Sequence, residues 1–296
     1  MAAGTGVPEG GLARRIGFAV VAIPLALAIV LYGSVPLVLL LAIAAGLGAR
    51  ELFDLAARGN IRAARLLGIA SAAVIAPMAW AAIASPRARA ALEATWPFLG
   101  ALWLLAVLTW ALAARRPGDR PLSAAAVTVL AVAWTGALPA FLLDLRHASH
   151  GLRSWAGTWL VFFPLVVTWV CDTAAMFGGR AFGGPKLAPT VSPGKTRSGS
   201  LAGVVGGLIV APIFGLGIFP RVGVEAPLWQ LLVIAAVLTV VGQVGDLAES
   251  LVKREAGVKD SSQLIPGHGG VLDRLDSLYF VVPVAAALYR LLGVGQ

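Results

Sequence analysis

The sequence predicts an all-α, polytopic membrane protein with about nine transmembrane spans, and three observations carry that expectation. Mean hydropathy is +0.88, and of the 296 residues 59% are hydrophobic and only 12% charged, too little charge to cover the surface of a soluble domain of that length. The apolar residues lie in repeated runs close to the roughly twenty needed to cross a bilayer core. The formal net charge of +9 comes from cations placed between those runs rather than on one basic face with interleaved aromatics, so no nucleic-acid partner is expected.

Residues 1–15 are glycine-rich, end in Arg14 and Arg15 and are expected to form a disordered cytoplasmic N-terminus. The run that follows has the charged start of a signal peptide, but a second span comes almost at once and no clear cleavage motif separates them, so an uncleaved span is expected. The spans then run Ile16–Tyr32, Val35–Leu55, Leu66–Ala84, Ala91–Ala114, Pro121–Leu143, Trp155–Gly178, Gly199–Phe219, Pro227–Leu251 and Ser277–Leu292. Only the connections after spans six and eight are long and polar. Residues 16–296 therefore read as one integral-membrane domain without a soluble module. The single cysteine, Cys171, excludes an intramolecular disulfide and a cysteine metal cluster. The lack of an HExxH pattern argues against a zinc hydrolase.

Charge asymmetry orients the bundle. With the N-terminus in the cytoplasm, 17 of the 23 cations fall on its side, among them Arg50, Arg58, Arg115, Lys186, Lys195, Lys253 and Arg274, and 6 fall on the other. The positive-inside rule agrees. Both polar loops then face the cytoplasm, and a bacterial-type inner (plasma) membrane is the expected location.

The first polar loop and its approach, residues 169–199, contain Asp172 about 12 Å below the loop along span six, counted at 1.5 Å per helical residue from Arg180. An ionised carboxylate there is costly unless it meets a cation, a metal or a water-filled cavity; the competing reading is a helix-end acid already among headgroups. Ser192-Pro193-Gly194-Lys195-Thr196 looks like half of a Walker A loop. The earlier glycine that loop requires is replaced by Pro189, so its phosphate-cradling backbone is unavailable. Lys195 still offers a phosphate-binding point charge, or simply a contact to anionic membrane lipids. Span seven opens with Gly199, Gly203, Gly206 and Gly207, a small-residue stripe suited to close helix packing. Packing within the chain is the commoner meaning of such a stripe, and a homodimer face is the alternative.

The second polar segment, residues 245–277, concentrates six of the fourteen carboxylates, four cations and one of three histidines. If the helix of span eight continues outward, Asp246, Glu249, Ser250 and Lys253 share one face at i, i+3, i+4 and i+7. That stripe can hold a metal low in a cavity and a phosphate above it. Asp273 and Asp276 follow at the start of span nine, and His268 lies between the two helices beside Gly269 and Gly270. Paired carboxylates suit Mg²⁺ when phosphates and water complete its shell, and lysine and arginine suit the remaining phosphate charge. Without that chemistry the segment is an ordinary charged loop.

Ser250-Leu251-Val252-Lys253-Arg254, then Lys259-Asp260, then Pro266-Gly267-His268-Gly269-Gly270-Val271-Leu272-Asp273-Arg274-Leu275-Asp276 closely resembles the signature of the phosphatidate cytidylyltransferases, the CDP-diacylglycerol synthases. Asp172-Thr173, Phe182-Gly183, Leu187-Ala188-Pro189 and Ser192 to Thr196 resemble the same family's preceding loop; Glu51-Leu52-Phe53 is the only agreement of the N-terminal half beyond hydropathy. Two departures stand out: Ala174 to Met176 lacks a tyrosine frequent in relatives, and Arg197 to Gly199 lacks an acid.

The resemblance implies transfer of a cytidylyl group from CTP to phosphatidate, giving CDP-diacylglycerol and pyrophosphate. It assigns Asp246 and Asp273 to Mg²⁺, and Lys253, Arg254, Lys259 and Arg274 to phosphate. It gives His268, Asp172, Asp260 and Asp276 supporting roles, places Ser192, Lys195 and Thr196 at the substrate, and leaves room for a second cation. Because the second pKa of a phosphomonoester is about 6, the lipid nucleophile is already ionised, and positioning with charge neutralisation can suffice for catalysis. A multi-pass ion-coupled transporter and a cytidylyltransferase for another lipid phosphate remain the alternatives. A CDP-alcohol phosphotransferase is disfavoured because its DGxxAR start is absent.

Overall fold

The computed structural model describes residues 20, 24–147, 150–151, 153–265 and 269–295. Eight helices there are long and apolar enough to cross a membrane. They are α1 (Ser34–Arg58), α2 (Arg65–Ala84), α3 (Pro86–Ala114), α4 (Pro121–His147), α5 (Trp155–Phe182), α6 (Arg197–Val222), α7 (Leu228–Glu255) and α8 (Val271–Leu292). They match the second to ninth expected spans one for one. Of the first expected span, residues 16–19 and 21–23 lie outside the described residues and 24–32 is helical; the N-terminus 1–15 and His268 also lie outside them. The expected all-α, polytopic architecture is what the chain adopts.

Three local departures bear on the site. The connection after α5, expected to be irregular, contains an antiparallel hairpin of β1 (Lys186–Ala188) and β2 (Ser192–Thr196), with Lys186 opposite Thr196 and Ala188 opposite Ser192. α7 continues to Glu255, beyond its expected end at Leu251. α8 begins at Val271 rather than Ser277, with a break between Leu275 and Leu278. Residues 271–275 are polar enough to have read as loop, yet Asp273 at the third helical position accepts the Gly270 N–H at 2.8 Å and starts the helix.

Two apolar clusters organise the bundle. The larger joins α1, α4, α5, α6, α7 and α8 around Phe163, Phe214, Leu231, Ile234, Leu238 and Val281. The smaller gathers Ala49, Leu52 and Phe53 of α1, Trp134 of α4, and Leu272 and Tyr279 of α8. It lies at the start of α8, directly behind the polar segment. In α2 and α3 only 17% and 11% of the apolar window is buried, against 50% in α4 and α5, so those two helices are peripheral and present their side chains to lipid.

The glycine stripe of α6 is occupied inside the chain. A Cβ placed on Gly206 would lie 2.5 Å from that of Ala174 in α5, and one on Gly207 would lie 2.2 Å from Thr239 Cγ2 in α7. The stripe therefore lets three backbones approach within one molecule, the commoner of the two expected meanings, and it leaves no surface there for a second copy.

Candidate active site

The two polar connections meet on one face of the bundle. Lys195 on β2 reaches α7, its Nζ 2.5 Å from Asp246 Oδ2, and Arg254 Nε donates to the Val191 carbonyl at 3.1 Å. The loops after α1 and α3 are tied to each other, through Arg115 Nε to the Arg62 carbonyl at 2.9 Å and an Arg120 guanidinium nitrogen to the Gly59 carbonyl at 3.2 Å.

The expected stripe on α7 exists. Ser250 Oγ donates to Asp246 Oδ1 at 3.3 Å, and one turn on, Lys253 Nζ lies 2.5 Å from Glu249 Oε2. Lys253 also reaches across to α8, 2.6 Å from Asp273 Oδ1. Glu249, Lys253 and Asp273 are 2%, 8% and 8% exposed, so one ammonium is held between two buried carboxylates. A buried charge of this kind persists only when paired and hydrogen-bonded. Gly245 permits the approach of α7 to α8: a Cβ there would lie 2.9 Å from the Asp276 carbonyl and 3.0 Å from the Phe280 ring.

Asp273 is fully engaged. Its Oδ1 takes the lysine, while Oδ2 accepts from the Ser261 N–H, the Ser261 hydroxyl and the Gly270 N–H, each at 2.8 Å. Asp246 is half-buried and among the described residues pairs with Lys195 and accepts from Ser250. Asp172 on α5 and Asp276 on α8 lie close enough to Asp246 and to each other to repel, and Lys195 is the cation they share. Three helices and the hairpin thus contribute to one partly open anionic site. Asp276 also accepts its neighbour Ser277 N–H at 2.6 Å.

The remaining expected residues divide by exposure. Lys259, Asp260, Arg254 and Arg274 are exposed; Arg254 also donates to the Val258 carbonyl at 2.6 Å and so ties the end of α7 to the loop. Thr196 is buried as the N-cap of α6, accepting the Gly199 N–H at 3.1 Å. Ser192 lies in β2 at the register pair with Ala188. Those two hold the hairpin that presents Lys195.

One residue that the site reading left without a role enters from the other end of the chain. Glu51 on α1 accepts four hydrogen bonds from residues 261–272. An acid near the end of an apolar helix, flanked by Arg50 and Asp54, carries no local sign of such a contact.

The donors present fit a hard divalent cation in part. Asp246, with Asp172 and Asp276 beside it, supplies anionic oxygen and partial access, the chemistry that Mg²⁺ takes. Both oxygens of Asp273 are occupied by hydrogen-bond donors, and among the described residues no three acid, histidine or cysteine side chains are gathered closely enough to hold a metal ion between them.

A bundle of eight helices long and apolar enough to cross a membrane, with carboxylates and cations collected where two polar connections meet, defines an integral-membrane protein. The model of the cytidylyltransferase family matches residues 13–292, and the chain belongs to that family. Among curated proteins it is similar to the phosphatidate cytidylyltransferase of Brucella suis biovar 1, 52% identical over 134 residues that cover 44% of this chain and 45% of the relative. It also matches the enzymes of that name from Haemophilus influenzae, 42% identical over 147 residues and 50% of each chain, and Staphylococcus saprophyticus, 42% identical over 160 residues, 54% of this chain and 57% of the relative. The chain thus spans about half the length of the curated relatives it matches.

Proposed function

We propose that this protein transfers a cytidylyl group from CTP to phosphatidate, releasing pyrophosphate and leaving CDP-diacylglycerol in the membrane. The observation that carries this reading is the meeting of Lys195, Asp246, Lys253, Asp273 and Asp276 from three separate elements at one end of a lipid-facing bundle, in a member of a family defined by cytidylyl transfer. A transporter would distribute its charges along the span centres; here they collect at one face.

In this reaction an ionised phosphate oxygen of the lipid attacks the α-phosphorus of CTP, and the bond between the α-phosphorus and its bridging oxygen to the β-phosphate breaks as pyrophosphate leaves. No proton need be removed from the nucleophile at neutral pH. Lys195 and Lys253 neutralise phosphate oxygens, and Arg254, Lys259 and Arg274 add further positive charge. Mg²⁺ belongs to this reading: Asp246 would hold it, and bound there it would supply further charge neutralisation to the phosphates. Asp273 would be the second acid to hold it, through Oδ1, the oxygen that Lys253 engages in the structure. A second cation would fall beside Asp172 and Asp276. Homodimerisation is not part of the reading, since the glycine stripe that suggested it is covered within one chain.

The test is an assay of purified protein in detergent micelles with CTP, phosphatidate and Mg²⁺, following lipid product and pyrophosphate together. Equal appearance of both is expected; pyrophosphate without CDP-lipid, or neither, overturns the reading. Location in a plasma membrane with both loops in the cytoplasm is tested in intact cells with an impermeant thiol reagent on a Cys171→Ala background. Thr190→Cys and Leu264→Cys should label only after permeabilisation and Glu225→Cys from outside. The reverse pattern inverts the topology.

A further inference from the structure

We propose that Glu51 is a positioning residue for the signature segment, fixing from α1 the backbone on which Asp273 and Lys253 depend; the proposal rests on the cytidylyl-transfer reading above. Its carboxylate is 3% exposed and closes a four-point clamp. Oε2 accepts the Ser261 hydroxyl at 3.0 Å and the Leu272 N–H at 2.9 Å, and Oε1 accepts the Ser262 hydroxyl at 2.7 Å and the Val271 N–H at 3.0 Å. The clamp therefore grips the loop at 261–262 and the first turn of α8 at 271–272, on either side of the glycines.

The link to the site is direct. The one Ser261 hydroxyl proton is shared between Glu51 Oε2 and Asp273 Oδ2, 3.0 and 2.8 Å from Oγ, and the Ser261 N–H donates to the same Asp273 oxygen. Asp273 in turn holds Lys253. Gly270 shows how tightly the unit closes: a Cβ there would lie 2.1 Å from Ser261 Oγ and 2.4 and 2.5 Å from the two Glu51 oxygens. No side chain fits. With all four donors satisfied and almost no exposure, Glu51 cannot touch substrate, so it acts through Ser261 and Asp273. Partners of this kind behind a ligand commonly change metal affinity or activity by about 10–100-fold when altered.

Glu51→Gln tests the proposal because it keeps the shape but turns one oxygen into an amide donor that faces other donors. On a Cys171→Ala, Leu264→Cys background, where residue 264 is exposed, the variant should raise the rate of thiol labelling at 264 several-fold. In the same folded protein the CTP and Mg²⁺ concentrations giving half-maximal turnover should rise about ten-fold, with a smaller loss in kcat. A general loss of stability would lower only the amount of active protein and leave both half-saturation values unchanged; that result, with unchanged labelling, overturns the proposal. If Glu51→Gln does not fold, Ser262→Ala removes one clamp bond together with the Leu264 N–H bond to Ser262 Oγ, so the kinetic readout decides: both half-saturation values should rise, and no shift in them overturns the proposal equally. Should the unaltered protein form no CDP-lipid, the functional reading falls while the labelling rate still decides whether Glu51 holds the loop.

Discussion

The two polar connections differ in what their charges do. The segment between α7 and α8 is anchored to the bundle by buried carboxylates: Asp273 accepts the Ser261 and Gly270 N–H groups, Glu51 accepts the Ser262 hydroxyl and the Val271 and Leu272 N–H groups, and the two share the Ser261 hydroxyl. The hairpin after α5 is largely self-contained. Its strands pair with each other, Arg197 N–H donates to the Pro185 carbonyl at 2.9 Å, and Thr196 caps the next helix. It meets α7 through Lys195 on Asp246 and the Val191 carbonyl on Arg254. One connection is thus a scaffold in which acids hold backbone, and the other delivers a cation to an acid that remains half-exposed. An ion pair open to water can be exchanged for a substrate phosphate or a metal at little cost, whereas exchange at a buried one must replace the lost partner to be tolerated.

The largest effect expected from breaking this contrast is that of Asp273→Asn. The amide retains one acceptor oxygen but loses the charge that faces Lys253, leaving that ammonium with Glu249 alone in a buried setting. Loss of one partner of a buried pair costs about 3–5 kcal/mol. Thermal unfolding in detergent should therefore shift markedly downward, and turnover should fall by about 10³-fold even in the fraction that remains folded. A variant with unaltered melting temperature would show that Asp273 holds nothing, and one with near-normal turnover at saturating Mg²⁺ would remove it from the site.

Asp246→Asn should separate the two effects. Its partner Lys195 is half-exposed and Ser250 can still donate to the amide oxygen, so the melting temperature should stay close to that of the unaltered protein. CDP-lipid formation should nonetheless fall by about 10²-fold, and CTP binding should lose its dependence on divalent ion. A fall in melting temperature as large as that of Asp273→Asn would erase the distinction between scaffold and open acid.

The sequence made the second acid's surroundings readable and hid the first's. The stripe from Asp246 to Lys253 follows from helical periodicity alone, because α7 stays helical to Glu255 and i, i+3, i+4, i+7 positions share a face. The spans were readable for the same reason: apolar runs in lipid must be helical to satisfy their backbone. The β-hairpin left no such signature. Its strands are three and five residues long, and Pro193 and Gly194 are residues that strands disfavour, so turn chemistry masked the pairing. Glu51 was hidden differently, since its partners lie 210 to 221 positions away and only the folded chain brings α1 to the start of α8. α8 starts before the apolar run at Ser277 does, because Asp273 accepts the Gly270 N–H and caps its own helix.

Lys195→Met tests the open half of the comparison. The methionine keeps the unbranched, flexible stem and removes the charge shared by Asp246, Asp172 and Asp276. Loss of this partly exposed pair should cost no more than about 1 kcal/mol of stability. Turnover should drop by about ten-fold, mainly through weaker binding of CTP, because one of several phosphate-neutralising groups is gone. Unchanged kinetics would mean that the hairpin packs against α7 without serving the reaction.

The smallest effect should come from Lys186→Ala, and its value lies in the pairing with Lys195. Both lysines sit on the same two-stranded hairpin and carry the same charge, but Lys186 is exposed. It holds its place opposite Thr196 through the backbone, so the alanine keeps the register and leaves the Thr196 cap and the Lys195 ion pair undisturbed. A general attraction of the basic hairpin for anionic lipid or for CTP would make the two substitutions equivalent, since long-range attraction depends on charge more than on position. A contact-specific role for Lys195 predicts instead that Lys186→Ala stays within about two-fold of the unaltered protein in turnover and in half-saturating CTP, at both low and high salt. Equal losses for the two variants, disappearing together as salt rises, would reduce the hairpin to a charged surface and remove Lys195 from the site.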